Sequence, residues 1–293
     1  MSRKFNIGII GFGFVGSSVA YGFSPQTGFD HAVIRIYDKD DSKSTHCLEE
    51  VLDNSDFVFL SVPTPSNLDG SINLSILHNV LEQIDEHGTK DGCIVLVRST
   101  IVPGTTRGFE QKYRNIRFVF NPEFLTERSA KFDFINQARF ILGGDPSDTH
   151  KVAEFLRFRF GSSTPMIETN FETAEFIKYM NNCYFATKVS FMNEMKLIAD
   201  RSDVDWHVAV DGFVRDGRIG HTHLAVPGPD GKCGFGGSCF PKDLNALIQC
   251  AIDLGISPNT LVGAWNTNLI VRPEKDWEQL KGRAVSSNDD ENK

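Results

Sequence analysis

The sequence predicts an α/β protein: a doubly wound, mostly parallel sheet followed by a smaller, mainly helical domain. Short apolar runs alternate with helical patterns in the first half of the chain, and the first run ends in a cluster of spaced glycines. After residue 170 a helical stretch without Gly or Pro begins. The 293 residues are enough for two domains. We place a first domain at 1–168, a helical domain at 169–283 and a polar, disordered tail at 284–293.

The predicted elements follow from hydrophobic periodicity. Short runs of mostly apolar residues, three to six long here, are typical of buried strands, and 3.6-residue periodicity indicates helices. Strands are predicted at 5–10, 33–37, 57–62, 94–97, 118–120 and 140–142, and helices at 17–23, 74–84, 152–158, 171–200, 206–214, 241–254 and 260–270.

Composition argues against several classes of function. The chain has 30 basic and 38 acidic side chains, a net charge of −8, which argues against a nucleic-acid or anionic-membrane binder. No apolar stretch is long enough to span a membrane. The six cysteines form no CxxC pair, which suits a reducing compartment and predicts a cytoplasmic protein. A signal peptide is the alternative for the first twenty residues, but their glycine spacing favours a strand and turn.

Gly11, Gly13 and Gly16 form a GxGxxG pattern between the first predicted strand and a helix, and Asp38 follows the second strand. In a Rossmann-like fold such glycines allow a tight turn and close approach of a pyrophosphate, while the acid binds the adenosine ribose hydroxyls. The alternative is an ordinary tight turn. Since Asp38 would repel a 2′-phosphate, the pattern predicts NAD rather than NADP.

Cys239 precedes a predicted helix that has Pro241 in its first turn, and three glycines lie just upstream. The helix dipole and Lys242 should lower the pKa of its thiol and favour a nucleophilic thiolate. The alternative is a small buried residue in a turn, which is our interpretation of Cys47, Cys93, Cys183 and Cys250.

Two further groups can do chemistry. Lys178 and Asn182 lie four residues apart on one helix and share a face, where they could stabilise an oxyanion; a solvated face is the alternative. Glu123 and Glu127 follow a predicted strand and would point into a ligand crevice; the alternative is the acidic first turn of a helix. The eight histidines show no ligand spacing, so no metal is predicted.

Together these segments resemble the UDP-glucose/GDP-mannose dehydrogenase family, and the RIG form of one motif is more like the UDP-glucose branch. The matching motifs run in family order: GFGFVG at 11–16, SVPTP at 61–65, RST at 98–100, NPEFLTE at 121–127, KYMNN at 178–182, GRIG at 217–220 and GFGGSCFPKD at 234–243. Arginine stands at 98 where lysine is common in the family. We expect the chain to lack the family's usual C-terminal domain.

The resemblance implies two successive oxidations of a nucleotide sugar by NAD through a covalent intermediate on Cys239. It implies that Lys178 and Asn182 hold an oxyanion, that Asp243 serves a catalytic water or proton, and that Glu123 and Thr100 serve the hydrolytic water. Further cofactor contacts are implied at Val15, Thr64, Thr100, Glu127 and Lys242, and substrate contacts at Glu123, Phe124, Leu125, Lys178, Asn182, Arg218 and Gly236.

Three hypotheses remain open on the sequence. The first is a UDP-glucose 6-dehydrogenase that makes UDP-glucuronate. We expect such an enzyme to bind its nucleotide-sugar substrate and no nucleic acid or membrane. The second is a two-electron dehydrogenase of a hydroxy acid or sugar, and the third is a non-catalytic NAD-binding protein that needs a partner chain. A homodimer could form through the helix starting near Thr260, where Leu261, Trp265 and Leu269 share an apolar side; the alternative is that this side packs within its own domain.

Overall fold

The computed structural model describes residues 4–287. The described chain divides into two compact units, residues 4–64 with 74–178 and residues 65–73 with 179–287. The division falls inside a long helix after Lys178, whereas the sequence predicts a boundary at residue 168. The difference has a physical cause: Phe171 and Ala174, in the first turn of that helix, are fully buried in the core of the first unit.

The first unit contains a single seven-stranded sheet with the strand order β2-β1-β3-β4-β5-β6-β7. All neighbouring strands are parallel except β5 and β6, so the predicted fold class is confirmed. The last strand was missed because its residues are only partly buried and include a glutamate. The strands are β1 (Phe5–Ile10), β2 (Ala32–Tyr37), β3 (Phe57–Leu60), β4 (Ile94–Val97), β5 (Phe118–Phe120), β6 (Phe140–Gly144) and β7 (Met166–Thr169).

Helices cover both faces of this sheet. On β3, Phe57 and Phe59 enter one hydrophobic cluster and Val58 and Leu60 enter the other, as expected when alternate side chains point to opposite faces that are both buried. The Phe57 ring stacks on Phe155 with centroids 4.3 Å apart. The helices of this unit are α1 (Phe14–Gly22), α2 (Leu48–Asn54), α3 (Ser75–His87), α4 (Thr105–Lys112), α5 (Ala130–Ile135) and α6 (Pro146–Phe160).

The second unit is mainly helical, as predicted. Its helices are the greater part of α7 (Phe171–Ala199), α8 (Trp206–Val214), α9 (Phe240–Asp253) and α10 (Asn259–Val271). Between residues 4 and 287 no helix combines the length and apolar character needed to cross a membrane.

The end of the described chain is ordered further than the sequence predicts. Ala284, expected in the disordered tail, is 2% exposed. Its carbonyl accepts the Ser66 N–H at 3.0 Å, and the Ser66 carbonyl accepts the Ser286 N–H at 2.8 Å. These bonds explain why residues 65–73 belong to the second unit. The predicted tail residues 288–293 lie outside the described residues.

Candidate active site

The glycine turn after β1 has the shape that a dinucleotide requires. Gly11 has a φ of +87°, and a Cβ there would lie 2.6 Å from the Ser61 carbonyl oxygen. A Cβ on Gly16 would overlap the Gly11 carbonyl, whereas a Cβ on Gly13 would meet nothing within 4 Å. The backbone is therefore closely packed at two glycines and open at the third, at the N-terminus of α1, where a pyrophosphate binds in Rossmann-like folds.

Asp38 lies directly after β2, beside this turn. Its Oδ2 accepts the Phe12 N–H at 2.6 Å and its Oδ1 accepts the Asp40 N–H at 2.9 Å. The carboxylate is thus oriented by two backbone amides, and each oxygen keeps a lone pair that can accept a hydroxyl. The residues present fit the adenosine half of NAD, with Val15 in the first turn of α1.

The loops that follow β3 and β4 are joined by two hydrogen bonds. The Thr64 hydroxyl donates to the Thr100 carbonyl at 2.8 Å, and the Ser99 hydroxyl donates to the Val62 carbonyl at 2.7 Å. The structure therefore brings together Thr64 and Thr100, both predicted cofactor contacts, at the carboxyl edge of the parallel strands.

Glu123 and Lys178 form a buried ion pair. Lys178 Nζ donates to Glu123 Oε1 at 2.8 Å and to the Glu123 carbonyl at 2.6 Å, while Glu123 Oε2 accepts the Leu125 N–H at 2.6 Å. Glu123 is 4% exposed and lies outside any helix, since α5 begins at Ala130. The alternative of an acidic first helical turn is therefore wrong. Phe124 lies against the same ammonium, with its ring centroid 5.5 Å from Nζ.

The turn that carries Glu123 is held by an arginine whose role the sequence reasoning missed. Arg98 is 2% exposed, and its guanidinium carbon lies 5.9 Å from the Phe59 ring centroid and 5.6 Å from that of Phe134. Its Nη1 donates to Asn121 Oδ1. The Asn121 amide in turn donates to the Ile141 carbonyl at 2.9 Å. Burial lowers the pKa of the Arg98 guanidinium to about 10. Its position within an RST motif directly after a buried strand was the available signal.

In the second unit, Cys239 is the N-cap residue of α9, and Pro241 is in the first turn. The Cys239 side chain is half-buried, the Ser238 hydroxyl lies 3.9 Å from its Sγ, and its carbonyl accepts the Asp243 N–H at 2.8 Å. The predicted position at a helix N-terminus is present. The predicted lowering of its thiol pKa remains a prediction. By contrast, burial raises the pKa of the Cys183 thiol, as expected for an inert core cysteine.

Asp243, four residues after Cys239, is the centre of a buried polar network. Its Oδ1 accepts Lys242 Nζ at 2.6 Å, and its Oδ2 accepts the Asn182 amide at 2.5 Å. Lys242, Asp243 and Asn182 are 7%, 1% and 6% exposed. Lys178 is likewise buried, so a solvated face for Lys178 and Asn182 is wrong. The ammonium of Lys242, predicted to contact cofactor, is directed to Asp243 in this structure.

The other residues predicted to contact cofactor or substrate differ in their exposure to solvent. Leu125 is 8% exposed, whereas Glu127 is on the surface. The Arg218 side chain is 89% exposed and pairs with Asp216. Gly236 lies in the loop before Cys239. Among residues 4–287 no group of three or more His, Cys, Asp or Glu side chains is placed to hold a metal ion.

The predicted dimer helix corresponds to α10. Trp265 packs within its own unit, with its ring centroid 6.3 Å from Phe235 and 5.4 Å from Trp277. Ile270, in contrast, is 70% exposed. A homodimer through this helix remains a prediction.

Comparison with known proteins gives matches to two domains of one family. Residues 28–159 match the NAD binding domain of the UDP-glucose/GDP-mannose dehydrogenase family, and residues 172–269 match its central domain. The chain belongs to this family. The match confirms the resemblance seen in the motifs and NAD as the predicted cofactor.

Individual relatives agree with this membership. The UDP-glucose 6-dehydrogenase TuaD of Bacillus subtilis is 34% identical over 232 residues, which are 76% of this chain and 48% of the relative. A UDP-glucose dehydrogenase structure from Pyrobaculum islandicum superposes with a TM-score of 0.77 at 26% identity, over 92% of this chain and 69% of that chain. The chain spans about half the length of TuaD.

A more distant solved structure shows a likeness in the fold alone. The 3-hydroxyisobutyrate dehydrogenase of Mycobacterium tuberculosis superposes with a TM-score of 0.73 at 16% identity, over 93% of this chain and 95% of that chain.

Proposed function

We propose that this chain is an NAD-dependent nucleotide-sugar 6-dehydrogenase that oxidises UDP-glucose to UDP-glucuronate. The observation that carries the proposal is the position of Cys239 as the half-buried N-cap of α9, three residues before the buried Lys242–Asp243 pair, whose carboxylate also accepts the Asn182 amide. A helix N-terminus stabilises a thiolate, and a thiolate is the best protein nucleophile near neutral pH. The relatives named as UDP-glucose dehydrogenases support UDP-glucose as the substrate.

The proposed reaction passes through a covalent intermediate on Cys239. Bound NAD supplies the hydride acceptor, and two equivalents are used for each uronate formed. In the first oxidation the C6 alcohol loses its hydride to NAD and its hydroxyl proton to a water that Asp243 would serve, which leaves an aldehyde. Cys239 Sγ then forms a bond to the carbonyl carbon as the C=O π bond opens, and the oxygen takes a proton to give a thiohemiacetal. The second oxidation removes a hydride to NAD and the hydroxyl proton to water, and it leaves a thioester on Cys239. Water then adds to that carbonyl, the C–S bond breaks, and the thiolate leaves.

The other residues act on the charges and protons of these steps. The Lys178 ammonium and the second N–H of the Asn182 amide would donate to the oxyanion that forms at C6. Glu123, whose carboxylate is held by Lys178 and the Leu125 amide, would orient the hydrolytic water together with Thr100. Gly11, Gly13, Gly16 and Asp38 would hold the adenosine half of NAD.

A coupled assay tests the proposal. The purified chain is mixed with NAD and each of UDP-glucose, GDP-mannose and UDP-N-acetylmannosamine, and NADH and uronate are both quantified. We expect two NADH per uronate with UDP-glucose, and no net uronate from Cys239→Ala. A ratio of one NADH per product with an unaffected Cys239→Ala variant would favour a two-electron dehydrogenase. NAD binding without turnover, restored by a second protein, would favour the non-catalytic hypothesis.

A further inference from the structure

The loop that leads to Cys239 is fixed by three buried polar side chains of the second unit. Asn193 of α7, Asn268 of α10 and Arg272, the C-cap residue of α10, are each no more than 2% exposed. We call these three residues the loop clamp. All three bind backbone atoms in residues 233–235, a few residues before the cysteine.

The two asparagines bind the loop backbone directly. The Phe235 N–H donates to Asn268 Oδ1 at 2.8 Å, and the Asn268 amide donates to the Phe235 carbonyl at 3.0 Å. The Gly234 N–H donates to Asn193 Oδ1 at 3.0 Å. The backbone N–H groups of Gly234 and Phe235 and the Phe235 carbonyl are therefore all hydrogen-bonded to buried side chains, in the way that a neighbouring β-strand would bind them.

Arg272 contacts the same loop and two nearby carboxylates. Its Nε and Nη2 donate to Asp276 at 2.9 and 2.6 Å, and Nη1 lies 2.8 Å from Asp230 and 3.4 Å from the Cys233 carbonyl oxygen. Hydrogen bonding to Arg272 lowers the pKa of Asp276 to about 2. A Cβ on Gly236 would lie 2.5 Å from Nη2, so the guanidinium packs directly on the loop backbone.

Fold stability alone does not account for this arrangement. Burying a guanidinium and two amides gains little over apolar packing, because their desolvation offsets most of the interaction. The same two helices are also joined independently of the loop, since the buried Ser190 hydroxyl of α7 donates to the Ala264 carbonyl of α10 at 2.6 Å. The loop clamp differs from that bond because it fixes the backbone geometry of residues 233–235, four to six residues before Cys239.

We propose that Asn268 and Arg272 are positioning residues that set the location of Cys239 Sγ for capture of the aldehyde. The inference rests on the proposed function, because aldehyde capture is the step that needs the sulfur in place. A displacement of about 1 Å from productive geometry can lower a rate about 100-fold. With the clamp loosened, thiohemiacetal formation slows while the first hydride transfer, which does not use the sulfur, continues. Part of the aldehyde then escapes before the second oxidation.

The test compares Asn268→Ala and Arg272→Lys with Ser190→Ala in the full chain. Ser190→Ala is the matched control, because it removes a buried α7–α10 hydrogen bond without touching the loop. NADH and uronate are quantified with UDP-glucose. The pH midpoint of Cys239 alkylation by iodoacetamide is measured from the mass of its peptide. Arg272→Lys keeps the positive charge between Asp230 and Asp276, so it provides the comparison if Asn268→Ala does not fold.

We expect both clamp variants to give more than two NADH per uronate and to raise the alkylation midpoint by about half a pH unit, because the thiolate moves away from the helix N-terminus. A variant that is only less stable has a smaller active fraction but still makes two NADH per uronate. Values equal to those of Ser190→Ala in both measurements would overturn the inference. If the unmodified chain makes no NADH, the proposed function fails, and the alkylation midpoint still decides whether the clamp positions the thiol.

Discussion

Lys178 Nζ lies 2.8 Å from Glu123 Oε1, and the two side chains are only 3% and 5% exposed. Each charge is compensated by the other, and the Glu123 carbonyl and the Leu125 amide complete the hydrogen bonds around them. A residue of α7 and the turn after β5 are thereby joined within the first unit. The pair places an ammonium and a carboxylate, the two kinds of group that oxyanion stabilisation and water activation need, next to each other in a site shielded from solvent.

Removal of one partner should cost more than removal of both. Lys178→Met leaves the Glu123 carboxylate buried without its cation, and we expect a loss of about 3 kcal/mol in the free energy of unfolding. The loss should grow from pH 5 to pH 8, because a buried carboxylate without a partner is tolerated only when protonated. Lys178→Met/Glu123→Gln should recover much of the stability. Urea unfolding of the four proteins of this cycle at both pH values measures the coupling; strictly additive losses would show that the pair contributes no coupling energy.

Glu123→Gln should trap the covalent intermediate of the proposed reaction. The amide is nearly isosteric and can still accept the Leu125 N–H, but it cannot take a proton from water, so hydrolysis should slow about 100-fold or more. Mixed with NAD and UDP-glucose, the variant should gain the mass of one UDP-glucuronyl group, which hydroxylamine should remove. Glu123→Gln/Cys239→Ala is the control and should gain no mass. A slow Glu123→Gln enzyme without an adduct would place Glu123 in an earlier step.

The strands could be predicted from sequence because their burial is local and periodic. The observed β1, β4 and β5 coincide with the predicted ranges 5–10, 94–97 and 118–120, since these runs are buried on both faces and read as continuous apolar segments. The short helices α2, α4 and α5 were missed. They have seven, eight and six residues, too few to establish a 3.6-residue period.

The candidate site residues could be named from motifs, but their partners could not. The bond from Asn182 to Asp243 joins residues 61 positions apart, and Asn268 holds Phe235 across 33 positions. No local pattern encodes such pairings, because they depend on how helices pack. A weaker signal was present for the loop clamp. Asn268, near the end of α10, and Arg272, its C-cap residue, are four positions apart, a spacing that would place both on one face of a helix.

The charge of Asp38 should decide which dinucleotide binds. Asp38→Asn can still accept the Phe12 N–H but loses the carboxylate that binds ribose hydroxyls and repels a 2′-phosphate. Since a hydrogen bond to a charged group contributes about 1.5–3 kcal/mol, we expect KM for NAD to rise about tenfold, and the preference for NAD over NADP to fall by at least as much. Asp40→Asn removes the same charge from the same loop and should change neither value. If Asp38→Asn keeps the cofactor preference of the unmodified chain, a group other than Asp38 binds the ribose hydroxyls.

Glu175 of α7 caps α4 from inside the first unit. Its Oε2 accepts the Gly104 N–H at 2.6 Å, and its Oε1 accepts the Thr106 N–H at 2.8 Å and the Thr106 hydroxyl at 2.6 Å. The side chain is fully buried. Burial raises the pKa of this carboxyl to about 7, although the hydrogen bonds from Thr106 and Gly104 act in the opposite direction.

Glu175 should therefore make the fold less stable as the pH rises. A carboxyl whose pKa is raised from 4.5 to about 7 binds its proton more tightly when folded. Its contribution is fully present below pH 4.5 and is lost as the pH rises through 7, a change of at most about 3 kcal/mol. Glu175→Gln keeps an acceptor for Thr106 but cannot titrate, so its free energy of unfolding should vary less between pH 5 and pH 8.

Glu172→Gln is the matched control, because Glu172 is a half-exposed neighbour paired with Arg107. This variant should keep the pH dependence of the unmodified chain. Urea unfolding at pH 5, 6.5 and 8 measures all three. A slope in Glu175→Gln equal to that of the control would mean that Glu175 stays ionised throughout this range, with the three donors outweighing its desolvation.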